Sequence, residues 1–231
     1  MIKLGNTSKT ILLILVIILC VLRSYSATRT ATSSGNWSNT ATWGGNPVPT
    51  ASDDVTINNG INVTVNAAAY CNTLTTANSG TLTISGTNTL TVTGLINMFR
   101  PSANNTSFTI AVGTGSLVAG ALTMNATTTT RNNIITISTG TVTINGTVTT
   151  GTTGCQFVFT GNGLLKFGGS FSGGPASLTA ANGTIEYTGT APVIQAFTGN
   201  YYNLVYSGNG TTANPSGNLN IQGNLLNTGG G

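Results

Sequence analysis

The stretch Gly140-Thr-Val-Thr-Ile-Asn-Gly-Thr-Val-Thr149 decides the fold, because apolar or glycine residues alternate with polar residues along it. Successive side chains of a strand point to opposite faces, so Val142, Ile144 and Val148 share one face and the threonines share the other. Similar stretches recur along the chain, and in the second copy the pattern places Val118 on the inner face. Each copy carries a glycine at the inner parity: Gly94, Gly120, Gly146, Gly169, Gly189, Gly208 and Gly223.

The spacing of these glycines predicts a coil. Successive glycines are 26, 26, 23, 20, 19 and 15 residues apart, and periods near 20 to 30 residues are typical of solenoids. Further apolar strands lie between them, so each repeat holds two or three strands. A glycine inside a strand marks a bend or a close backbone approach. We therefore expect an all-β parallel β-helix of about seven coils, with the glycines at inside corners.

The alternative is a β-sandwich built from hairpins. Asn145-Gly146 is a strong hairpin dipeptide. In other copies, however, the residue before the glycine is Thr93 or Thr188, and a β-branched residue resists the positive φ that a type I′ turn requires. The β-helix is therefore the favoured interpretation.

The first 26 residues are predicted to be a secretory signal peptide. Lys3 and Lys9 are followed by an apolar run from Ile11 to Leu22, which is too short to span a membrane. Cleavage is expected after Ser26 or Ala27. Residues 27–66 would then form an N-terminal cap and the first strands, and residues 67–231 the β-helix repeats, truncated in mid-pattern. The mature protein would be secreted or displayed on the cell surface, with no membrane span.

Charge and composition argue against several functions. After signal removal four cations face three acids, too few and too scattered to follow a phosphate backbone, so nucleic acid is not an expected partner. The chain has no histidine, and the adjacent Asp53 and Asp54 would face opposite sides of a strand. Lys166 and Glu186 are expected to form a surface ion pair. We predict no enzyme activity, no catalytic residue and no cofactor.

Three other features have a structural and a functional interpretation. Trp37 and Trp43 could stack on a sugar, but covering the open end of the first coil is favoured. Asp53-Asp54 could hold calcium, but its spacing matches no calcium loop, and a turn or cap is favoured. The two cysteines of the mature chain are predicted to be separate buried residues. No metal site is expected.

Nearly all of the mature chain resembles a known group of proteins. The motifs are Trp43-Gly-Gly-Asn-Pro-Val-Pro49, Asp53-Asp54-Val-Thr-Ile57, Gly80-Thr-Leu-Thr-Ile-Ser-Gly86 and Tyr201-Tyr-Asn-Leu-Val-Tyr-Ser-Gly208. They resemble the large secreted surface proteins of gliding Gram-negative bacteria, which type IX secretion exports. The N-terminal part also resembles the eight-glycine domain at the head of extracellular β-helix proteins. The resemblance implies export, a right-handed parallel β-helix, an adhesin-like or scaffold role and no catalytic residues.

The leading functional hypothesis is therefore a non-catalytic surface protein that acts in adhesion or as a stalk. Its partners would be cell-surface or extracellular polysaccharide, or other surface proteins. The second hypothesis is a carbohydrate-binding module, or a non-catalytic part of a polysaccharide-degrading β-helix enzyme. The third is ice binding, suggested by repeated threonines such as Thr141-Val-Thr143, although later copies lose the threonine.

Overall fold

The computed structural model describes residues 26–190, 192–210 and 214–229. Residues 1–25, which hold nearly all of the predicted signal peptide, lie outside the described residues. The chain forms a parallel β-solenoid of about eight turns. The early strands are β1 (Thr28–Ala31), β2 (Gly35–Asn36), β3 (Asp54–Ile57), β4 (Ile61–Val65), β5 (Ala69–Cys71), β6 (Thr73–Thr76), β7 (Gly80–Ile84) and β8 (Thr89–Met98).

Most of the later strands continue the same two sheets. They are β9 (Thr106–Val112), β10 (Ser116–Met124), β11 (Arg131–Ile137), β12 (Thr141–Ile144), β13 (Val148–Thr150), β14 (Cys155–Phe159), β15 (Leu164–Phe167), β16 (Phe171–Gly173), β17 (Ser177–Thr179), β18 (Thr184–Tyr187), β19 (Val193–Ile194), β20 (Asn203–Tyr206), β21 (Asn214–Pro215) and β22 (Leu225–Asn227). One short 3₁₀ turn, Thr40–Trp43, precedes β3.

Every pairing between the described strands is parallel. The first sheet follows the order β1-β3-β6-β8-β10-β12-β15-β18-β20-β22, and β5, β13 and β16 pair beside this path. The second sheet follows the order β17-β14-β11-β9-β7-β4-β2, and β19 and β21 form a short third pair. The parallel β-helix prediction is thus confirmed. The β-sandwich alternative is wrong, because a sandwich of hairpins requires antiparallel neighbours.

Equivalent residues of successive coils stack into buried columns. One column contains Val92, Ala119, Ile144, Phe167 and Tyr187, each in register with the next. All five are at most 1% exposed. The period-two alternation produces these columns, because the inner residue of each strand lies on the inner residue of the coil below. Strand-to-strand hydrogen bonds and this stacking together stabilise a coil that could not bury its own faces alone.

The prediction for Val118 is wrong. Leu117 and Ala119 are buried, whereas Val118 lies on the outer face in register with Thr91. The cause is a β-bulge: Ala119 pairs with Val92 and Ala121 with Leu95, so two residues of β8 stand opposite Gly120 alone. The bulge therefore reverses the alternation of buried and outer positions along β10 from one side of Gly120 to the other. A strict period-two count across the glycine therefore fails in this copy.

The glycines stack where one coil approaches the next. A Cβ added to Gly146, Gly169, Gly189 or Gly208 would come within 3.0 Å of the backbone of the preceding glycine or its neighbour. The column begins at Gly94, over Asn72, and includes Gly120. It also separates β12 from β13 and β15 from β16.

Gly223 is placed outside this column. Its added Cβ would lie 2.7 Å from the Tyr202 carbonyl oxygen, so it too is a site of close approach, but on a different part of the coil. Gly229 takes the corresponding place over Gly208. The reason is register: β22 pairs with β20 starting at Leu225, so the coil position that follows β22 corresponds to the one occupied by Gly208.

Candidate functional site

The two tryptophans form an aromatic plug near the first coil. Trp37 and Trp43 are 2% and 0% exposed, and their rings meet edge to face with centroids 5.0 Å apart. The Trp43 Nε1 donates to the Trp37 carbonyl oxygen at 2.7 Å. Asn39 caps the 3₁₀ turn that carries Trp43 by accepting a hydrogen bond from the Ala41 N–H. Neither ring presents an open face, so a sugar could reach them only if this segment moved away.

Asp53 ties the start of the solenoid to the loop before β3. Its Oδ1 accepts from the Ala27 N–H at 3.0 Å, and its Oδ2 accepts from Thr50 N and Oγ1 at 2.9 and 2.8 Å. The guanidinium of Arg29 lies 3.6 Å away. Burial alone raises the pKa of Asp53, but the hydrogen bonds from Thr50 and Ala27 and the charge of Arg29 outweigh it. The pKa therefore lies below its ordinary value.

Asp54 lies on the outer side of β3 and binds neighbouring side chains. Its carboxylate accepts from Thr73 Oγ1 at 2.6 Å, Asn72 Nδ2 at 2.9 Å and Ser26 Oγ at 3.2 Å. The Thr73 hydrogen bond is the largest influence that lowers the pKa of Asp54. Among the described residues, no group of three histidine, cysteine or acidic side chains converges as metal ligands. Both aspartates instead fix turns and neighbouring strands by accepting hydrogen bonds.

Lys166 and Glu186 form the predicted ion pair. They are register partners on β15 and β18, and the Lys166 Nζ lies 2.9 Å from the Glu186 Oε2. The side chains are 33% and 15% exposed. Burial raises the pKa of Glu186, but hydrogen bonds from Ser207 and Lys166 outweigh this effect and the pKa is lowered. A pair this close to solvent contributes about 0–1 kcal/mol.

Two buried tyrosines form a hydrogen-bonded chain that the sequence did not reveal. The Gln195 N–H donates to the Tyr187 hydroxyl, which lies 3.0 Å from that of Tyr201, and Tyr201 in turn donates to the Gln195 carbonyl. Burial raises the pKa of Tyr187 to about 12 and raises that of Tyr201 as well. Phe167 and Phe197 pack against these rings. The phenols therefore stay neutral and serve the core.

One outer column of small polar residues crosses seven coils. Its members are in register from strand to strand: Thr30, Thr56, Thr75, Asn97, Thr123, Thr149 and Ser172. This column stays in register although the number of residues per coil varies. Asn97 interrupts the hydroxyls, and the adjacent outer positions on β8 and β10 are Leu95 and Ala121. The face is uncharged at these positions and suits a solvated strand surface.

Two arginines come together on one side of the stack, which the sequence did not predict. We call the surface formed by Phe99, Arg100, Asn104, Thr127 and Arg131 the basic corner. The Arg100 Nη1 donates to the Thr127 Oγ1 of the next coil at 3.0 Å, and the Arg131 Nε donates back to the Asn104 Oδ1 at 2.9 Å. Phe99, which precedes Arg100 in the chain, is 49% exposed. Arg100 is exposed and Arg131 is partly exposed, so this side of the stack presents two cations and an aromatic residue.

A buried amide holds the two loops of the basic corner in place. Asn133 is 0% exposed and occupies an inner position, in register with Phe108 and Cys155. Its Oδ1 accepts from the Ala126 N–H at 2.8 Å, and its Nδ2 donates to the Phe99 carbonyl at 2.9 Å. A satisfied buried polar group of this kind fixes geometry. Its signal in the sequence is an asparagine at the inner parity of an otherwise aliphatic strand.

A shallow groove of about 170 Å³ begins next to the basic corner. Thr129, from the loop that leads to Arg131, lines its first end. The groove then crosses successive coils along Gln156, Ser177 and Thr198, which are register partners. Thr153 and Pro175 form the loop side. The lining is neutral, with hydroxyl, amide and methyl groups.

No family model matches the chain, and no curated protein or solved structure shows significant similarity to it. Within the described residues, no helix is long and apolar enough to cross a membrane.

Proposed function

We propose that the protein is exported and acts at the cell surface or outside the cell, in adhesion or as a structural stalk, without catalysing a reaction. The observation that carries this proposal is the regular stack of about eight turns. Such a stack offers extended surfaces made of repeated strands, which repeat proteins use for binding and spacing. The signal-like N-terminus and the resemblance to secreted surface proteins support export.

The hydrogen bond of Ala27 suggests where the mature chain begins. Cleavage after Ser26 would turn the Ala27 N–H into an ammonium 3.0 Å from the buried carboxylate of Asp53. A charge-assisted bond of this kind is stronger than a neutral one. Cleavage after Ala27 would remove the donor. After expression in a Gram-negative host, we expect N-terminal sequencing of the exported protein to start at Ala27. Protein that stays in the cytoplasm with residues 1–26 attached would contradict export.

Adhesion and spacing can be separated with the mature chain displayed on beads. Beads that carry residues 27–231 are passed under flow over surfaces coated with bacterial extracellular polysaccharide or with host-cell matrix. Retention above that of beads carrying the unfolded Ile144→Asp variant supports adhesion. Absence of retention, with a rigid elongated particle in small-angle scattering, supports the stalk. Release of reducing ends from any of these polysaccharides would overturn the non-catalytic assignment.

A further inference from the structure

The charges of the solenoid are divided between paired and unpaired cations. In the part of the chain that the structure describes, Arg29 lies 3.6 Å from Asp53 and Lys166 lies 2.9 Å from Glu186. Arg100 and Arg131 have no carboxylate within ion-pair distance among these residues, and both lie on the basic corner. Their hydrogen bonds to neutral oxygens leave their positive charges uncompensated.

The unpaired arginines are presented in a fixed arrangement. Each guanidinium reaches across to the adjacent coil, and Asn133 holds both supporting loops through the Ala126 N–H and the Phe99 carbonyl. Arg100 begins one loop and Arg131 follows the loop of the next coil, so the two arginines lie on adjacent coils at opposite ends of the stacked loops. A site ordered before binding loses less freedom when its ligand arrives. Two forked donors held in place on adjacent coils therefore suit a ligand with repeated planar anionic groups.

The adjacent groove extends this site along the stack. Three strand-to-strand spacings separate the coil of Arg131 from that of Thr198, through Gln156 and Ser177. At about 4.8 Å each, they give the groove a length of about 14 Å along the stack. Hydroxyl and amide groups on this path can donate and accept hydrogen bonds, and the threonine methyl groups are apolar. Phe99, which precedes Arg100 in the chain and is 49% exposed, offers an apolar ring. The surface therefore matches a long ligand in which carboxylate groups alternate with many hydroxyls.

We propose that the basic corner and the groove bind an acidic polysaccharide whose sugars carry carboxylate groups. This inference rests on the proposed role in adhesion and names the ligand class for it. Arg100 and Arg131 bind carboxylates, the Phe99 ring packs against the C–H face of a sugar ring, and Gln156, Ser177 and Thr198 form hydrogen bonds to sugar hydroxyls.

Other macromolecules fit this surface less well. An extended peptide usually gains affinity by adding to a free strand edge, and β11 and β14 beneath this surface are each paired on both sides. Single-stranded nucleic acids are bound in cationic grooves with aromatic rings on which the bases stack, whereas the lining of this groove contains no cation and no aromatic ring. A uronic acid polymer combines spaced carboxylates with many hydroxyls.

Binding of polygalacturonate to the mature chain, residues 27–231, tests the proposal. The affinity is measured by calorimetry at low salt, and the fully methyl-esterified polymer is the neutral comparison. The double variant Arg100→Gln, Arg131→Gln removes both unpaired cations. The matched control is Lys166→Gln, which removes one positive charge at the paired position. Thermal unfolding of each variant shows that the chain remains folded.

We expect the acid polymer to bind at least about tenfold more tightly than its ester, and the double variant to lose about tenfold or more, as expected for charge-assisted hydrogen bonds. Lys166→Gln should change the affinity less than about twofold, since exposed pairs contribute little. Thr198→Trp, which fills the far end of the groove, should weaken binding of the polymer and leave binding of digalacturonate unchanged.

Three results would overturn the proposal: equal affinity for acid and ester, an unchanged affinity in the folded double variant, or tighter binding of polyglutamate than of polygalacturonate. The last result would assign the corner to an acidic protein. None of these results would affect the proposed function, provided that the wild-type protein is exported and that beads carrying it are still retained on other surfaces. Cytoplasmic protein that binds polygalacturonate would instead contradict export and leave the ligand assignment in place.

Discussion

Replacing Gly120 with alanine tests the close approach of coils in the glycine column. The new Cβ would lie 2.7 Å from the Gly94 carbonyl oxygen and closer still to that of Thr93. Both obstacles are backbone atoms in a bulged part of β8, so the coil below must move to make room. Overpacking of this kind costs about 1–3 kcal/mol. The reduced freedom of the unfolded chain returns about 0.4–1 kcal/mol.

The net loss should be about 1–2 kcal/mol of unfolding free energy, which corresponds to a decrease in Tm of about 2–8 °C for a chain of this size. The matched control is Gly113→Ala. There the added Cβ would lie 3.5 Å from the Ile84 carbonyl oxygen, an ordinary contact, so the variant should be unchanged or slightly more stable. Urea unfolding followed by far-ultraviolet circular dichroism measures both. If the two variants have the same midpoint, the argument that stacked backbones exclude a side chain at this column is wrong.

Three further predictions concern the core, the N-terminal carboxylate and the thiols. Ile144→Asp buries a charge at a 0% exposed position and should remove at least about 4 kcal/mol of stability. Thr143→Ser on the outer face should change the stability by less than about 0.5 kcal/mol. Equal melting temperatures would contradict the assignment of Ile144 to the inner face and Thr143 to the outer face. Because the folded pKa of Asp53 is lowered, its contribution is present above its unfolded pKa of about 3.9 and is lost as the pH falls through the lower folded pKa. Asp53→Asn should therefore be less stable than the wild type at pH 7 and should lose less stability on acidification. Thermal melts between pH 7 and pH 2 measure both effects, and a variant with the same pH profile as the wild type would contradict this role of Asp53. Burial raises the pKa of Cys71 to about 12, so a thiol reagent at pH 8 should label it only after unfolding in urea, and rapid labelling of the folded chain would disprove its burial.

The parallel stack could be predicted from the sequence because the inner parity depends only on neighbouring residues. Val142 and Ile144 are buried, as the alternation predicts, and Lys166 meets Glu186 because both lie at the same point of adjacent coils. Val118 could not be placed, since a bulge changes the parity without changing the residue types. Gly223 could not be excluded from the column either, because the pairing of β22 with β20 is set by the loops between them.

The basic corner was not predictable for a related reason. The repeat period applies to the strands, which must stay in register, whereas each loop changes length without disturbing the stack. Arg100 lies in such a loop and Arg131 begins the strand after the loop of the next coil, and only the paired strands around them show that each reaches the coil of the other. The buried strand faces of this solenoid are fixed by packing and strand pairing, so specificity belongs to the loops and to the outer positions that line the groove, such as Gln156 and Ser177. We therefore expect substitutions at outer strand positions away from the groove, such as Thr123, to leave ligand binding unchanged. Substitutions in the loops at the basic corner should alter binding without altering the fold.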